Sequence, residues 1–321
     1  MNTKAIHHRR RLPVLAGIAL AFLLLQESLY VSGAVAAGID ATGAPHKLCL
    51  WRVSGGKGTV FLLGSIHVGK PDLYPLPREI EQAFTSAQYL VEEADPSKVD
   101  PTEARQFWLS HGRYPDGDRL EKHLSDRTSM ALGLYLEMTG RSPTALSRAR
   151  PWMAYMIIHK ERLQGYGYLG KQGIDRHFFD EAAASRKPVI GLETPEYQMN
   201  LVYWMFSRLP EDDQDKLLAS ALLRARNDAR GLGATFEAWR AGCTAAIEAL
   251  DHDGARDPQS QVYKEEMVYK RNLRMAQALE SYLDTPYTYF TVVGLAHVIG
   301  DRGIVKLLQG KGYRVDQLVG H

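Results

Sequence analysis

The stretch YTYFTVVG, residues 287–294, carries β-branched and aromatic side chains on both of its faces and ends in a glycine three positions before His297. A strand reads this way when both faces of its sheet are covered, because the apolar/polar alternation disappears once neither side meets water. Two more runs share the pattern, QYLVEEAD at 88–95 and KPVIGLE at 187–193. Earlier, LCLWRV and GTVFLLGS flank Ser54-Gly55-Gly56-Lys57, and two β-rich runs about a Gly-Gly turn predict an antiparallel hairpin. YRVDQLV near the C-terminus reads as a last edge strand. Between these runs the spacing is helical, from about Pro101 to Arg186, from Thr194 to Ala249 and from about Gln259 to Leu283. Helices interleaved with buried strands predict an α/β fold: a mixed central sheet flanked by helices, with a helix-rich middle insertion.

Within that middle, Leu201, Val202, Trp204, Met205 and Phe206 make one helix apolar on most sides. Acidic Glu211-Asp212-Asp213 follows at once, which favours a buried or homodimer-contact helix over one lying on a membrane.

Composition excludes more than it identifies. The 321 residues are 45% hydrophobic and 24% charged, with 28 Gly and 15 Pro, which rules out collagen-like, coiled-coil and wholly disordered chains. Lys and Arg exceed Asp and Glu by only two, too little charge for a nucleic-acid binder. Two Cys are too few for a disulfide framework or a Cys-rich zinc module.

The first 37 residues read as an export signal: the basic MNTKAIHHRRR, the uncharged LPVLAGIALAFLLL, then small residues suited to cleavage after Ala36 or Ala37. Its apolar run is shorter than the roughly 20 residues that span a bilayer, so membrane attachment is expected only if the segment stays uncleaved. Removing Lys4, Arg9, Arg10, Arg11 and Glu27 with it turns the formal charge from +2 to −1. Residues 38–46 are expected to be flexible, and 47–321 to form a single domain whose helical cap covers about 101–186 and 194–283. A periplasmic or secreted setting leaves two readings for Cys49 and Cys243: a long-range bridge, contributing about 4–5 kcal/mol in chain-entropy models, or two buried thiols.

The chemistry is expected where the strands end. The runs close on Gly64-Ser65-Ile66-His67, Glu92-Glu93-Ala94-Asp95, Gly191-Leu192-Glu193-Thr194 and Gly294-Leu295-Ala296-His297. Ligands of open α/β sheets bind at the carboxyl ends of strands. Two Gly-x-x-His motifs at such ends give each chain a sharp turn at the glycine and an imidazole aimed back over the rim. Two imidazoles and a carboxylate suit a transition metal with open positions for water and substrate. The strand period places Glu93 and Asp95 on one face, so one carboxylate can bind metal while the other accepts a proton. Glu193 has similar standing, although Thr194-Pro195 also reads as the cap of a following helix. Arg271 shares a helical stripe with Val268, Met275, Leu279 and Leu283, so it needs a partner: Glu93, Asp95 or a reaction oxyanion. His177, in GIDRH, opens a helix that approaches the same rim.

The blocks WRVSGGKGTVFLLGSIHVGKPDLYPLP, LVEEAD, GIDRHFFDEAAASRKPVIGLETPEYQ, KRNLRMAQAL and YFTVVGLAHVIGDRGIVKLLQGKGYRV, in this order from Trp51 to Val315, resemble the TraB/GumN (TraB/PrgY/GumN) family, to which the Tiki metalloproteases belong. The resemblance implies a Tiki/erythromycin-esterase-like fold whose active site holds His67, His297 and Glu93, with Arg271 as a further candidate. The expectation is an exported metal-dependent hydrolase acting on a peptide or other small substrate. His67, Glu93 and His297 would hold Zn, Mn or Co, Asp95 or Glu193 would act as general base, and Arg271 would orient Glu93 or stabilise an oxyanion. The alternative is a non-catalytic periplasmic protein that sequesters a peptide or haem-like ligand in the same pocket.

Overall fold

The computed structural model describes residues 46–223, 225–242 and 258–320. The expected export segment, Cys243 and residues 243–249 at the end of the second helical stretch lie outside them. Six strands form one mixed sheet: β1 His46–Ser54, β2 Thr59–Ser65, β3 Tyr89–Ala94, β4 Val189–Glu193, β5 Thr288–Gly294 and β6 Arg314–Gly320, in the order β4-β3-β5-β2-β1-β6. The Gly-Gly hairpin is present, with Trp51 opposite Leu62 and Val53 opposite Val60. Gly55 takes a φ of +114°, open to glycine at no steric cost. The turn rests on the end of the helix Lys270–Leu283, where Leu283 O accepts from Lys57 N at 2.8 Å and Gly58 N at 2.9 Å. YRVDQLV is the edge strand β6, antiparallel to β1.

β2, β5, β3 and β4 run parallel to one another. Their carboxyl ends therefore lie along one rim, and the register pairs Ser65 with Gly294 and Ala94 with Glu193. Neighbouring strand residues face opposite sides of the sheet. Phe290 of β5 meets Phe84 and Phe178, from the helices Arg78–Ser86 and Ile174–Ser185, while Tyr289 stacks on Tyr282 of the helix Lys270–Leu283. Both faces are thus covered, as continuous hydrophobicity requires.

The cap has its own core. Leu132 and Leu136, Trp152 and Met156, Val202 and Phe206, and Leu218 bring together the helices Asp126–Met138, Pro151–Gly165, Pro195–Ser207 and Glu211–Leu223. Val202 and Phe206 of the apolar helix are buried here, inside the chain. The cap is smaller than the sequence reading made it: Ile174, Phe178 and Ala182, and likewise Met275, Leu279 and Leu283, pack in the sheet core. Those helices are amphipathic toward the sheet, a distinction periodicity alone does not draw. A π-helical turn at Glu265–Tyr269 precedes the last long helix, and Met267, with Val268 only half-buried, is the buried residue there. Cys49 is disulfide-bonded. No helix among the described residues is long and apolar enough to cross a membrane.

Candidate functional site

Two backbone loops and one helix start hold the first histidine. Beyond β2 the chain pairs Gly69 with Leu169 in a two-way backbone bridge, Ile174 N donates to Ile66 O at 3.1 Å, and Trp239 Nε1 donates to Gly64 O at 2.7 Å. Gly173 lies so close to the His67 carbonyl that a Cβ has no room there. His67 is buried, and its Nδ1 lies 3.1 Å from Asp175 Oδ1, on the first turn of the helix Ile174–Ser185. With Nδ1–H donating to the carboxylate, Nε2 is the unprotonated nitrogen of the neutral ring.

Beyond β5, His297 sits on the short helix Leu295–Val298 and is fixed from the opposite side of the sheet. Asn272 Nδ2 donates to Arg302 O at 2.8 Å, which turns Oδ1 toward His297 Nδ1 at 2.6 Å. The imidazole therefore carries its proton on Nδ1 and offers Nε2 as an acceptor. That acceptor is taken by Arg271 Nη1 at 2.9 Å.

Glu93 stands between the two. Its Oε1 accepts from Gly294 N at 2.7 Å, and its Oε2 accepts from Arg271 Nη2 at 2.7 Å and from Gln198 Nε2 at 3.4 Å. Oε1 lies 3.6 Å from His297 Nε2 and 4.0 Å from His67 Nε2. A Cβ on Gly294 would come within 3.1 Å of both Glu93 Oε1 and His67 Nε2, so glycine at this strand end is what lets the two face each other across the bare backbone.

Arg271 is fully buried and is the hub of the arrangement. Besides His297 and Glu93 it donates from Nε to Glu193 at 2.9 and 3.1 Å, from Nη2 to Glu193 Oε2 at 2.7 Å and from Nη1 to Met267 O at 2.8 Å. All five N–H groups of the guanidinium are engaged. Of the roles left open for it, orienting Glu93 is the one this geometry serves. Glu193 also accepts from Gln198 at 3.1 Å, so its oxygens are turned to the guanidinium and the amide rather than to the imidazoles.

The charges follow from these contacts. Burial works against ionisation of Glu93, but the neighbouring His297, Arg271 and His67 and the Gly294 N–H outweigh it and hold the carboxyl down at about 2. For His297, burial and then Arg271 push the imidazole down to about 3, leaving it neutral. Burial also opposes charge on His67, yet Asp175, by charge and hydrogen bond, and Glu93 hold it above the ordinary value. On the sheet face opposite Glu93, Glu92 is buried with no hydrogen bond to Oε1 among the described residues, and burial followed by Asp175, Asp95 and Glu93 raises it well above the usual carboxylate range.

The structure brings His67, Glu93, Glu193, Arg271 and His297 together. Asp95 is committed elsewhere: Oδ1 accepts from Ser97 N at 3.0 Å and Ser97 Oγ at 2.7 Å, capping the turn after β3. His177 turns away, to Glu81 at 3.2 Å and the Tyr74 ring. Within GIDRH the residue that reaches the centre is Asp175, two positions earlier. Asn272 and Gln198 were also missed, although Asn272 follows Arg271 directly and Gln198 lies five residues past Glu193 on the helix that Thr194 caps.

The expected three-ligand metal set does not fit this arrangement. Among the described residues no group of three or more His, Cys, Asp or Glu side chains is placed to hold a metal ion. The physical reason is Arg271: the lone pair that His297 would give to an ion already accepts from a guanidinium, and both oxygens of Glu93 accept N–H bonds.

A sequence profile of the TraB/PrgY/gumN family matches residues 49–317. YbaP of Escherichia coli (strain K12) is 27% identical over 248 residues, 77% of this chain and 87% of YbaP, and YbaP of Shigella flexneri matches to the same extent. A metalloprotease TIKI homolog of Amphimedon queenslandica is 38% identical over 55 residues, 16% of this chain and 11% of that protein. No solved structure gives a significant match.

Proposed function

The chain belongs to the TraB/PrgY/gumN family, and on its geometry we propose that it is a hydrolase of peptide or other carboxyl-derivative bonds, with His67 as general base. The observation that carries this reading is the pair His67 Nε2 and Glu93 Oε1, 4.0 Å apart across the bare Cα of Gly294. That separation is too long for a direct hydrogen bond and suits one water shared by both. The short likeness to a protein named as a metalloprotease supports the reaction class.

The two groups are tuned apart, which supports different roles for them. Glu93, held at about 2, is a poor base that stays ionised and accepts one water hydrogen. His67, strengthened by Asp175, takes the other proton at Nε2 as the water oxygen adds to the substrate carbonyl carbon. When the adduct collapses, the imidazolium returns that proton to the leaving nitrogen or oxygen, the C–N or C–O bond breaks, and a carboxylic acid and an amine or alcohol depart. Glu193 and Arg271 hold Glu93 in place and Asp95 has no part. We further place the protein outside the cytoplasm; the N-terminal 37 residues and the disulfide at Cys49 support export to an oxidising compartment.

Incubating the purified protein with a peptide, amide and ester panel and reading products by mass spectrometry tests the proposal. Turnover by the wild type should fall about 10²–10⁴-fold in His67→Gln; a wild type that cleaves nothing in the panel, or a variant as fast as wild type, would sink it. Gly294→Ala should lower turnover about 10²-fold, because its methyl group pushes Glu93 and His67 off line by a few tenths of an ångström, while the thermal midpoint barely moves. An Ala variant with wild-type rates would separate the two side chains functionally.

A further inference from the structure

We propose that Arg271 is the resident cation of this centre and stands where its relatives' chemistry calls for a metal ion, so that the chain activates water with no bound metal. The inference rests on the hydrolytic reading for the water, but its test does not require turnover.

Each part of the argument is a contact. A metal shared by His67, Glu93 and His297 needs three lone pairs. Asn272, fixed by its bond to Arg302 O, forces the His297 proton onto Nδ1 and so leaves Nε2 alone to bind. Arg271 Nη1 sits on that atom at 2.9 Å, and Nη2 of the same guanidinium holds Glu93 Oε2 at 2.7 Å. The group cannot swing aside cheaply: Nε and Nη2 bind Glu193, Nη1 binds Met267 O, and the residue has no exposed surface. A dication beside it would face a like charge where little solvent screens the two. The guanidinium meanwhile does for Glu93 what an ion does for a ligating carboxylate, keeping it ionised and fixed in direction. Asp175–His67 and Asn272–His297 resemble the outer hydrogen bonds that orient metal-bound imidazoles, but here they orient one base and one acceptor for an arginine.

The test is metal binding by the full chain. Wild type and the double variant Arg271→Met/Glu193→Gln, which frees His297 Nε2 without leaving the Glu193 charge unpaired, are each loaded with Zn²⁺, Mn²⁺ or Co²⁺, desalted and assayed for bound metal and for visible cobalt absorption. The wild type should retain no stoichiometric ion, whereas the double variant should retain one, lost again when His67→Ala is added. One equivalent on the wild type that disappears in His297→Ala would overturn the proposal. So would a double variant, folded by circular dichroism, that binds none. If the double variant does not fold, the wild-type stoichiometry alone decides. A peptide panel left uncleaved would defeat the hydrolytic reading and leave this result untouched.

Discussion

Arg271→Leu is expected to cost about 3–5 kcal/mol of folding free energy, more than any other single exchange near the site. The side chain is fully buried between two carboxylates, Glu93 and Glu193, whose own side chains are 7% and 5% exposed. Removing the guanidinium leaves two buried anions sharing one pocket, with Gln198, the Gly294 N–H and the more distant Arg274, 3.8 Å from Glu193 Oε1, left beside them. The penalty comes from uncompensated charge, so it should shrink when the charges go together. Arg271→Met combined with Glu93→Gln and Glu193→Gln is expected to recover most of the loss. Urea unfolding followed by circular dichroism separates the cases. A single-variant loss below about 1 kcal/mol, or a triple variant no better than the single one, would show that the three residues are not coupled as their contacts imply.

The strands were legible because burial on both faces erases alternation, as residues 88–95, 187–193 and 287–294 showed, and because a Gly-Gly turn marked the hairpin that ends at residue 65. Parallel register then did what no local pattern specifies: it set Ser65 beside Gly294 and so brought two distant Gly-x-x-His loops to one rim. Arg271 was legible as a charge on a core stripe with Glu93 as one candidate partner, but its contacts with Glu193, His297 and Met267 O were not. Glu93 and Asp95 looked equivalent on one strand face, and the Ser97 hydroxyl two residues on decided between them by capping with Asp95. Asp175 stayed hidden because a first-turn aspartate ordinarily reads as a favourable helix-dipole residue; only the docking of its helix on Ile66 and His67 shows that it faces an imidazole. The metal expectation followed from residue types at strand ends and from the family resemblance. Which lone pairs were already taken is a matter of tertiary contact.

The pH dependence of stability carries the same logic further. Stability is expected to fall between pH 6.5 and 4 because two buried imidazoles stay neutral when the unfolded chain would protonate them. His297 is pushed down to about 3 by burial and Arg271, and His159, on the cap helix Pro151–Gly165, to about 4 by burial and Arg162. In that window the unfolded chain binds the extra protons, and each imidazole contributes a slope of about 1.4 kcal/mol per pH unit. Glu93 extends the loss: its stabilisation is present above the ordinary value of 4.5 and disappears as pH falls through about 2. Glu92 and His67 are raised and act oppositely, their contributions being complete below 4.5 and 6.5 respectively and lost as pH rises through their folded values. Glu92 therefore partly offsets the imidazoles, and the wild type should lose about 1.4–2.8 kcal/mol per pH unit below 6.5. His159→Phe removes one imidazole without touching the site, so its slope between pH 6.5 and 4 should be shallower than the wild type's by about 1.4 kcal/mol per unit. Urea midpoints at pH 7, 6, 5 and 4 for both proteins measure this directly. Parallel curves would mean that His159 titrates in the folded cap, and a flat wild-type curve would mean the same of His297, whose neutrality the Arg271 contact requires.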